Sequence, residues 1–122
     1  MSWSLKGVIV KNPKIDRVID GDTIRFWIPV CCKEYIFNCR LNGINTPEIR
    51  TKNKEIKQKG VLAKEYVEKC LKETTYIELE CFDFDKYGRV LCEVYLGKGK
   101  ERVSMNQELL RLHYAEVYPT KN

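Results

Sequence analysis

The sequence has a single histidine, His113, in 122 residues. That argues against a Ser/His/Asp triad and against a histidine-rich metal centre. No CxxC pair occurs, and no second histidine exists to complete a zinc finger. No apolar run approaches the roughly 18 residues needed to cross a bilayer, so no membrane partner is expected. The opening stretch Met1-Ser2-Trp3-Ser4-Leu5-Lys6 has no charged segment followed by an apolar core, the pattern of a secretory signal. The expectation is therefore an intracellular protein. Nothing repeats at a fixed period, and no segment is of low complexity.

What remains is one domain's worth of chain, 1–122, with 43% hydrophobic and 32% charged residues. Lys and Arg number 22 against 17 Asp and Glu, a net charge of +5. Such a surplus favours an anionic partner, though only weakly. Any chemistry must rest on carboxylates, arginines, lysines or cysteines. There are six cysteines: Cys31, Cys32, Cys39, Cys70, Cys81 and Cys92. Without a secretory signal they are expected to be free thiols. Cys70, Cys81 and Cys92 sit among apolar residues as small hydrophobes. Cys31 and Cys32, in a segment that reads as extended, are expected to face opposite sides of a sheet.

Periodicity divides the chain. The first 45 residues read as strands, with Gly7–Val10 and Ile15–Ile19 flanking a turn at Asn12-Pro13, then Thr23–Ile28 and Glu34–Leu41. Asp20-Gly21-Asp22 is turn chemistry. The stretch from Asn42 to Lys54 reads as a loop. From Gln58 to Lys72, Leu62, Ala63, Tyr66, Val67, Cys70 and Leu71 recur at helical spacing. Strands return at Thr74–Phe82 and Val90–Leu96. Ser104-Met105-Asn106-Gln107 has the form of a capping box and starts a short helix to about Leu112. Trp3, Phe26, Trp27 and Tyr66 read as core aromatics. Five strands with a helix after the third predict a mainly β, five-stranded OB-fold-like Greek-key barrel with two helices; an open α+β sheet fits the pattern as well.

Four stretches carry chemistry together: Val18-Ile19-Asp20-Gly21-Asp22-Thr23, Arg40-Leu41-Asn42-Gly43-Ile44-Asn45-Thr46-Pro47-Glu48, Arg50-Thr51-Lys52-Asn53-Lys54 and Asp85-Lys86-Tyr87-Gly88-Arg89. Clustered carboxylate and carbonyl oxygens suit a hard cation. Arginine's planar fork suits phosphate oxygens. A carboxylate near both can orient or deprotonate water. Such parts make a metal-assisted phosphodiester hydrolase. Each also has an ordinary reading: a hairpin turn, a solvated ion pair, a charged loop.

With these motifs in this order, the sequence resembles the staphylococcal-nuclease-like (thermonuclease) family, from about Gly7 to Val117. The resemblance implies an OB-type barrel and Ca2+-dependent endonucleolytic cleavage of DNA and RNA with low sequence specificity, giving 3′-phosphate ends; Mg2+ or Mn2+ are alternative ions. It implies Asp22 as a direct metal ligand, Asp20 in the outer shell and the Thr46 backbone carbonyl as a further ligand. Glu48 would be the general base, Arg40 and Arg89 the phosphate clamp, and Lys86 and Tyr87 the lining of the nucleotide pocket. Arg50 and Lys52 would guide the phosphate backbone. The chain departs from the family in three ways. Asn45 stands where a second metal-binding aspartate is expected. Tyr114 and Tyr118 do not match the family's tyrosine-containing stretch. The sequence ends at Asn122, before the family's third helix. The alternative expectation is a non-catalytic nucleic-acid-binding barrel with a weakened metal site; a protein-interaction barrel is a third. The leading expectation is a monomer acting on DNA or RNA, with no protein partner.

Overall fold

The structure is a computed structural model and describes residues 5–118; Trp3 lies outside them. Alternation of β-formers builds its strands. In β3 (Thr23–Val30), Ile24, Phe26 and Ile28 are buried while Arg25 and Trp27 are half-exposed. β6 (Ile77–Phe84) buries Ile77, Leu79 and Cys81, and β7 (Val90–Leu96) buries Val90, Cys92 and Val94. β1 (Ile9–Lys11), β2 (Lys14–Asp20) and β4 (Lys33–Leu41) complete a mixed sheet of order β1-β6-β7-β4-β3-β2, with β8 (Val103–Ser104) added to β7. β2, β3 and β4 form an antiparallel meander. β4 then meets β7 in parallel, pairing Arg40 with Leu91, a pairing the local sequence does not announce.

The hydrogen-bonded sheet does not close into a complete barrel. No ladder joins β1 to β2, yet they are successive segments of one stretch bent at Asn12-Pro13. Asn12 has φ 47°, and its backbone N–H and side-chain oxygen both bond Ile77. Chain continuity thus links the two ends of the sheet. The architecture is mainly β with two helices and is consistent with an OB-like fold.

Helix α1 (Lys54–Glu73) starts four residues before the expected Gln58, because the Asn53 side chain caps it by accepting the N–H groups of Glu55 and Ile56. Its buried face is Gly60, Ala63, Val67 and Leu71. Leu62, expected in the stripe, is exposed, and Gly60 takes its place. α1 packs principally against β2. α2 (Met105–Arg111) begins as expected, with Ser104 Oγ accepting from the Gln107 N–H. Within it Asn106 is fully buried. Its side chain accepts from Val94 N–H and donates to the carbonyls of Cys92 and Asn42, binding α2 to β7 and to the loop after β4. A short pair follows, β5 (Ile44–Asn45) against β9 (Glu116–Val117).

All six cysteines are free. Cys39, Cys81 and Cys92 form part of the core. Cys31 and Cys32 contradict the extended reading: both have positive φ, 50° and 72°, and form the two-residue turn between β3 and β4. Phe26 is fully buried as expected, whereas Tyr66 is half-buried and stacks on Tyr114 at 4.7 Å. Among the described residues no helix is long and apolar enough to cross a membrane.

Candidate active site

The turn between β2 and β3 is the expected Asp20-Gly21-Asp22, but the glycine is there for space. A Cβ on Gly21 would stand 2.9 Å from both Ala63 Cβ and Thr46 Cγ2. The turn is therefore pressed between α1 and the chain that follows β5. Asp22 is buried. Its Oδ2 accepts the Thr46 N–H at 3.1 Å and lies 2.9 Å from Arg40 Nη1; its Oδ1 accepts from Thr23 Oγ1 at 3.2 Å. Asp20 Oδ1 in turn accepts the Asp22 N–H.

These contacts split the two carboxyls. Burial, then the hydrogen bond and the charge of Asp22, push Asp20 up to about 6. Burial works against ionisation of Asp22 as well, but the hydrogen bond to Asp20, the Thr46 N–H and the Arg40 guanidinium outweigh it, and its carboxyl is held below the usual range. The two neighbouring carboxyls thus differ in their affinity for a proton.

Arg40, also buried, completes the knot. Nη2 donates to the Ile44 carbonyl at 3.1 Å and to Asn45 Oδ1 at 3.2 Å. The Tyr118 ring lies 5.2 Å from its guanidinium carbon. Tyr118 reaches this position because β9 pairs with β5 and its N–H bonds the Gly43 carbonyl. That arrangement depends on long-range pairing and left no local signal.

In front of the knot opens a cleft of about 600 Å³ lined by Arg17, Ile19, Asp20, Thr23, Asn38, Glu48, Ile49, Arg50, Lys64 and Arg89. Of the expected site residues, Asp20, Glu48, Arg50 and Arg89 face it together. Asp22, Arg40 and Thr46 are buried beside Asp20. Asn45 is exposed and turned to Arg40. Lys52, Lys86 and Tyr87 are exposed and outside the cleft wall, although Tyr87 lies against Arg89, ring to guanidinium, at 5.4 Å. Arg17 and Lys64 are additions. Arg17 shares a strand face with Ile19 by alternation. Lys64 lies one helical turn beyond Gly60, whose missing Cβ would be 2.6 Å from the Pro47 carbonyl and 2.9 Å from that of Glu48. α1 thus approaches the backbone carrying Glu48 with nothing between.

Arg89 is set by its own turn. Asp85 Oδ1 accepts the N–H groups of Tyr87 and Arg89, each at 2.9 Å, and Oδ2 takes Arg89 Nε at 2.7 Å. Burial opposes the charge on Asp85, but these donors prevail and lower its pKa. Arg89 held in this way forms part of the cleft wall.

The donors available to a cation are all oxygen: the Asp20 and Asp22 carboxylates, the Thr46 carbonyl and Asn45 Oδ1. That set suits a hard divalent ion. Among the described residues no three His, Cys, Asp or Glu side chains converge, so carbonyl, amide and water oxygens would have to complete the shell. Arg40 meanwhile holds one oxygen of Asp22 and that of Asn45.

Comparison with known proteins agrees with this architecture. The sequence pattern of the family described as staphylococcal nuclease homologue matches residues 38–122. An uncharacterized protein of Methanocaldococcus jannaschii is 33% identical over 124 residues, covering 86% of this chain and 58% of its own. The thermonuclease of Staphylococcus intermedius is 34% identical over 107 residues, covering 86% and 60%. Endonuclease Htp3 of Saprolegnia parasitica is 28% identical over 116 residues, covering 86% and 54%. The chain thus spans little more than half the length of these relatives. With the pattern matching most of its length, from the strand that carries Arg40 through α1, β6, β7 and α2, the chain belongs to the staphylococcal nuclease homologue family.

Proposed function

We propose that the chain is a metal-dependent phosphodiesterase that cleaves DNA or RNA endonucleolytically, leaving 3′-phosphate ends. The observation that carries this reading is the cleft itself: Glu48 and Asp20 share one wall-to-wall opening with Arg17, Arg50, Lys64 and Arg89. Cations there draw in a phosphodiester, and an exposed carboxylate stands among them. Glu48 accepts a proton from the attacking water. Arg89, its Nε committed to Asp85, offers the rest of its fork to the phosphoryl oxygens. Arg40 supports the negative charge from beneath. Asp22, Asp20, the Thr46 carbonyl and Asn45 would hold Ca2+, with Mg2+ or Mn2+ as substitutes. The chemistry such an ion supplies when bound is neutralisation of charge on a phosphoryl oxygen. Arg50, Lys52, Lys86 and Tyr87 would steer the flanking strand. An open cleft of this kind suits flexible, single-stranded substrate, since duplex base edges lie in grooves it does not enter.

The test is fragment length from single-stranded DNA incubated with Ca2+ or with chelator. Ca2+-dependent shortening is expected from the native chain. Glu48→Ala, at an exposed position, should keep the fold and lose about 10²–10⁴-fold in rate. Unchanged cleavage by that variant would refute the mechanism.

A second reading is favoured by one observation: Asn45 Oδ1 accepts from Arg40, and an amide brings no charge to a cation. In that reading the domain binds nucleic acid without cutting it. Cleavage by Asn45→Asp alone, with Ca2+ binding by calorimetry also gained only there, would select it.

A further inference from the structure

Six free thiols divide sharply by environment. Cys39, Cys81 and Cys92 are fully buried. Burial pushes the Cys81 thiol up to about 12, and Cys92 is raised by its hydrogen bond with Cys39 and by burial. Such thiols stay protonated and unreactive. Cys70 is half-buried on α1. Cys31 and Cys32 alone are exposed, and they are adjacent.

They occupy an unusual place. The β3–β4 ladder runs from Thr23–Arg40, beside the candidate site, to Val30–Lys33. Cys31 and Cys32 are the two-residue loop that closes it, about 24 Å from the site end at ~3.4 Å per residue. Both lie in the left-handed region, as a type I′ turn requires. Asn-Gly is the pair that suits this turn; residues with an ordinary Cβ adopt it at a cost. The strained pair also escapes the pleat, which would have sent the two thiols to opposite faces. Tyr35 and Ile36, on the strand leaving the turn, are exposed apolar neighbours.

Geometry selects what two such thiols can hold. Adjacent Cα atoms are about 3.8 Å apart across a trans peptide, and the chain has no cis peptide among its described residues. Disulfides usually span about 4.4–6.8 Å between Cα atoms. A direct S–S bond would have to close a strained, readily reduced eight-membered ring, whereas an atom inserted between the sulfurs enlarges the ring and relieves the crowding. We propose that Cys31 and Cys32 form a chelating dithiol site for a soft, thiophilic centre of the trivalent-arsenic class. With phenylarsine oxide the step is an exchange: two S–H bonds and the As–O bond break, two As–S bonds form, and the oxygen leaves with both protons as water. Arsenic remains trivalent and no oxidant is needed. The site is separate from the cleft and does not depend on the cleavage reading.

Intact mass after phenylarsine oxide treatment tests this. One adduct per chain is expected, retained in excess β-mercaptoethanol and released by 2,3-dimercaptopropanol. Cys31→Ser and Cys32→Ser should each abolish the retained adduct, and Cys70→Ser should keep it. The double variant Cys31→Asn/Cys32→Gly should melt at higher temperature than the native chain and bind nothing, which separates loss of the site from loss of the fold. An adduct stripped by the monothiol, or surviving either serine substitution, would overturn the proposal. So would ready closure of the pair to a disulfide in glutathione disulfide, read as loss of two hydrogens, or a lower melting temperature in the double variant.

Discussion

Arg40 shows how one side chain can serve both stability and chemistry. Its guanidinium and the Asp22 carboxylate are only 11% and 8% exposed, so neither charge is well solvated. Removing one partner of such a pair strands the other. Arg40→Ala should therefore lose about 3–5 kcal/mol of stability, measured as a shift in urea midpoint with little change in slope. Lysine at this position would restore the charge but not the fork that spans Asp22, Ile44 and Asn45. Lost activity in Arg40 variants would then mix folding with catalysis. Arg89, half-exposed and outside the core, is the cleaner probe of phosphate binding.

Two elements hold the site in shape through contacts behind the cleft. The first is α1, which reaches the Pro47–Glu48 backbone at Gly60. Helix propensity alone makes Gly60→Ala favourable by about 1 kcal/mol. The contact at 2.6 Å involves a backbone carbonyl that cannot swing aside. Gly60→Ala should instead cost on the order of 1–3 kcal/mol and displace Glu48. Its cleavage should fall more than its stability explains; a more stable, fully active variant would remove the helix from this role. The second element is the turn from Asp85 to Arg89. Asp85 has a folded pKa below its unfolded value of about 3.9. Its contribution is thus complete above that value and fades as pH falls through the lower folded one. NMR of the Tyr87 and Arg89 amides and of Arg89 Nε–H should show the turn intact at pH 6 and released in strong acid. Asp85→Asn should weaken it at every pH.

At the scale of the whole molecule, a net charge of +5 matters through its placement. Arg17, Arg50, Lys64 and Arg89 come from four separate parts of the fold to one cleft. Affinity for single-stranded DNA, measured with chelator present, should fall linearly on a log–log plot against salt. Each cation that contacts a phosphate contributes about 0.7 to the slope. Arg17→Ala combined with Lys64→Ala should reduce the slope by about 1.4, whereas the same change at Lys98 and Lys100, on the turn after β7 and away from the cleft, should leave it unaltered.

Much of this could be read along the chain because its cause is local. Alternation specified β3, β6 and β7; the capping serine began α2; and the Asp20-Gly21-Asp22 turn was placed by its own residues, whereas the stretch from Asn42 to Lys54, which reads as a loop, carries the two-residue strand β5. The errors also have local causes. Asn53 caps α1 ahead of the apolar stripe, so that stripe alone misses the helix start, and Leu62 fits a stripe whose closest approach needs the absence of a side chain. Nothing in two cysteines signals the left-handed turn that Cys31 and Cys32 form; the strands on either side impose it. Sequence by itself determined which residue types were available, the approximate spans of the long strands, and the start of α2. Tertiary structure alone decided that β4 meets β7 in parallel, that Tyr118 faces Arg40, and that Arg17 and Lys64 join Glu48. Those contacts join residues far apart in the chain, and their partners are set by how the apolar faces of the whole sheet and α1 bury one another.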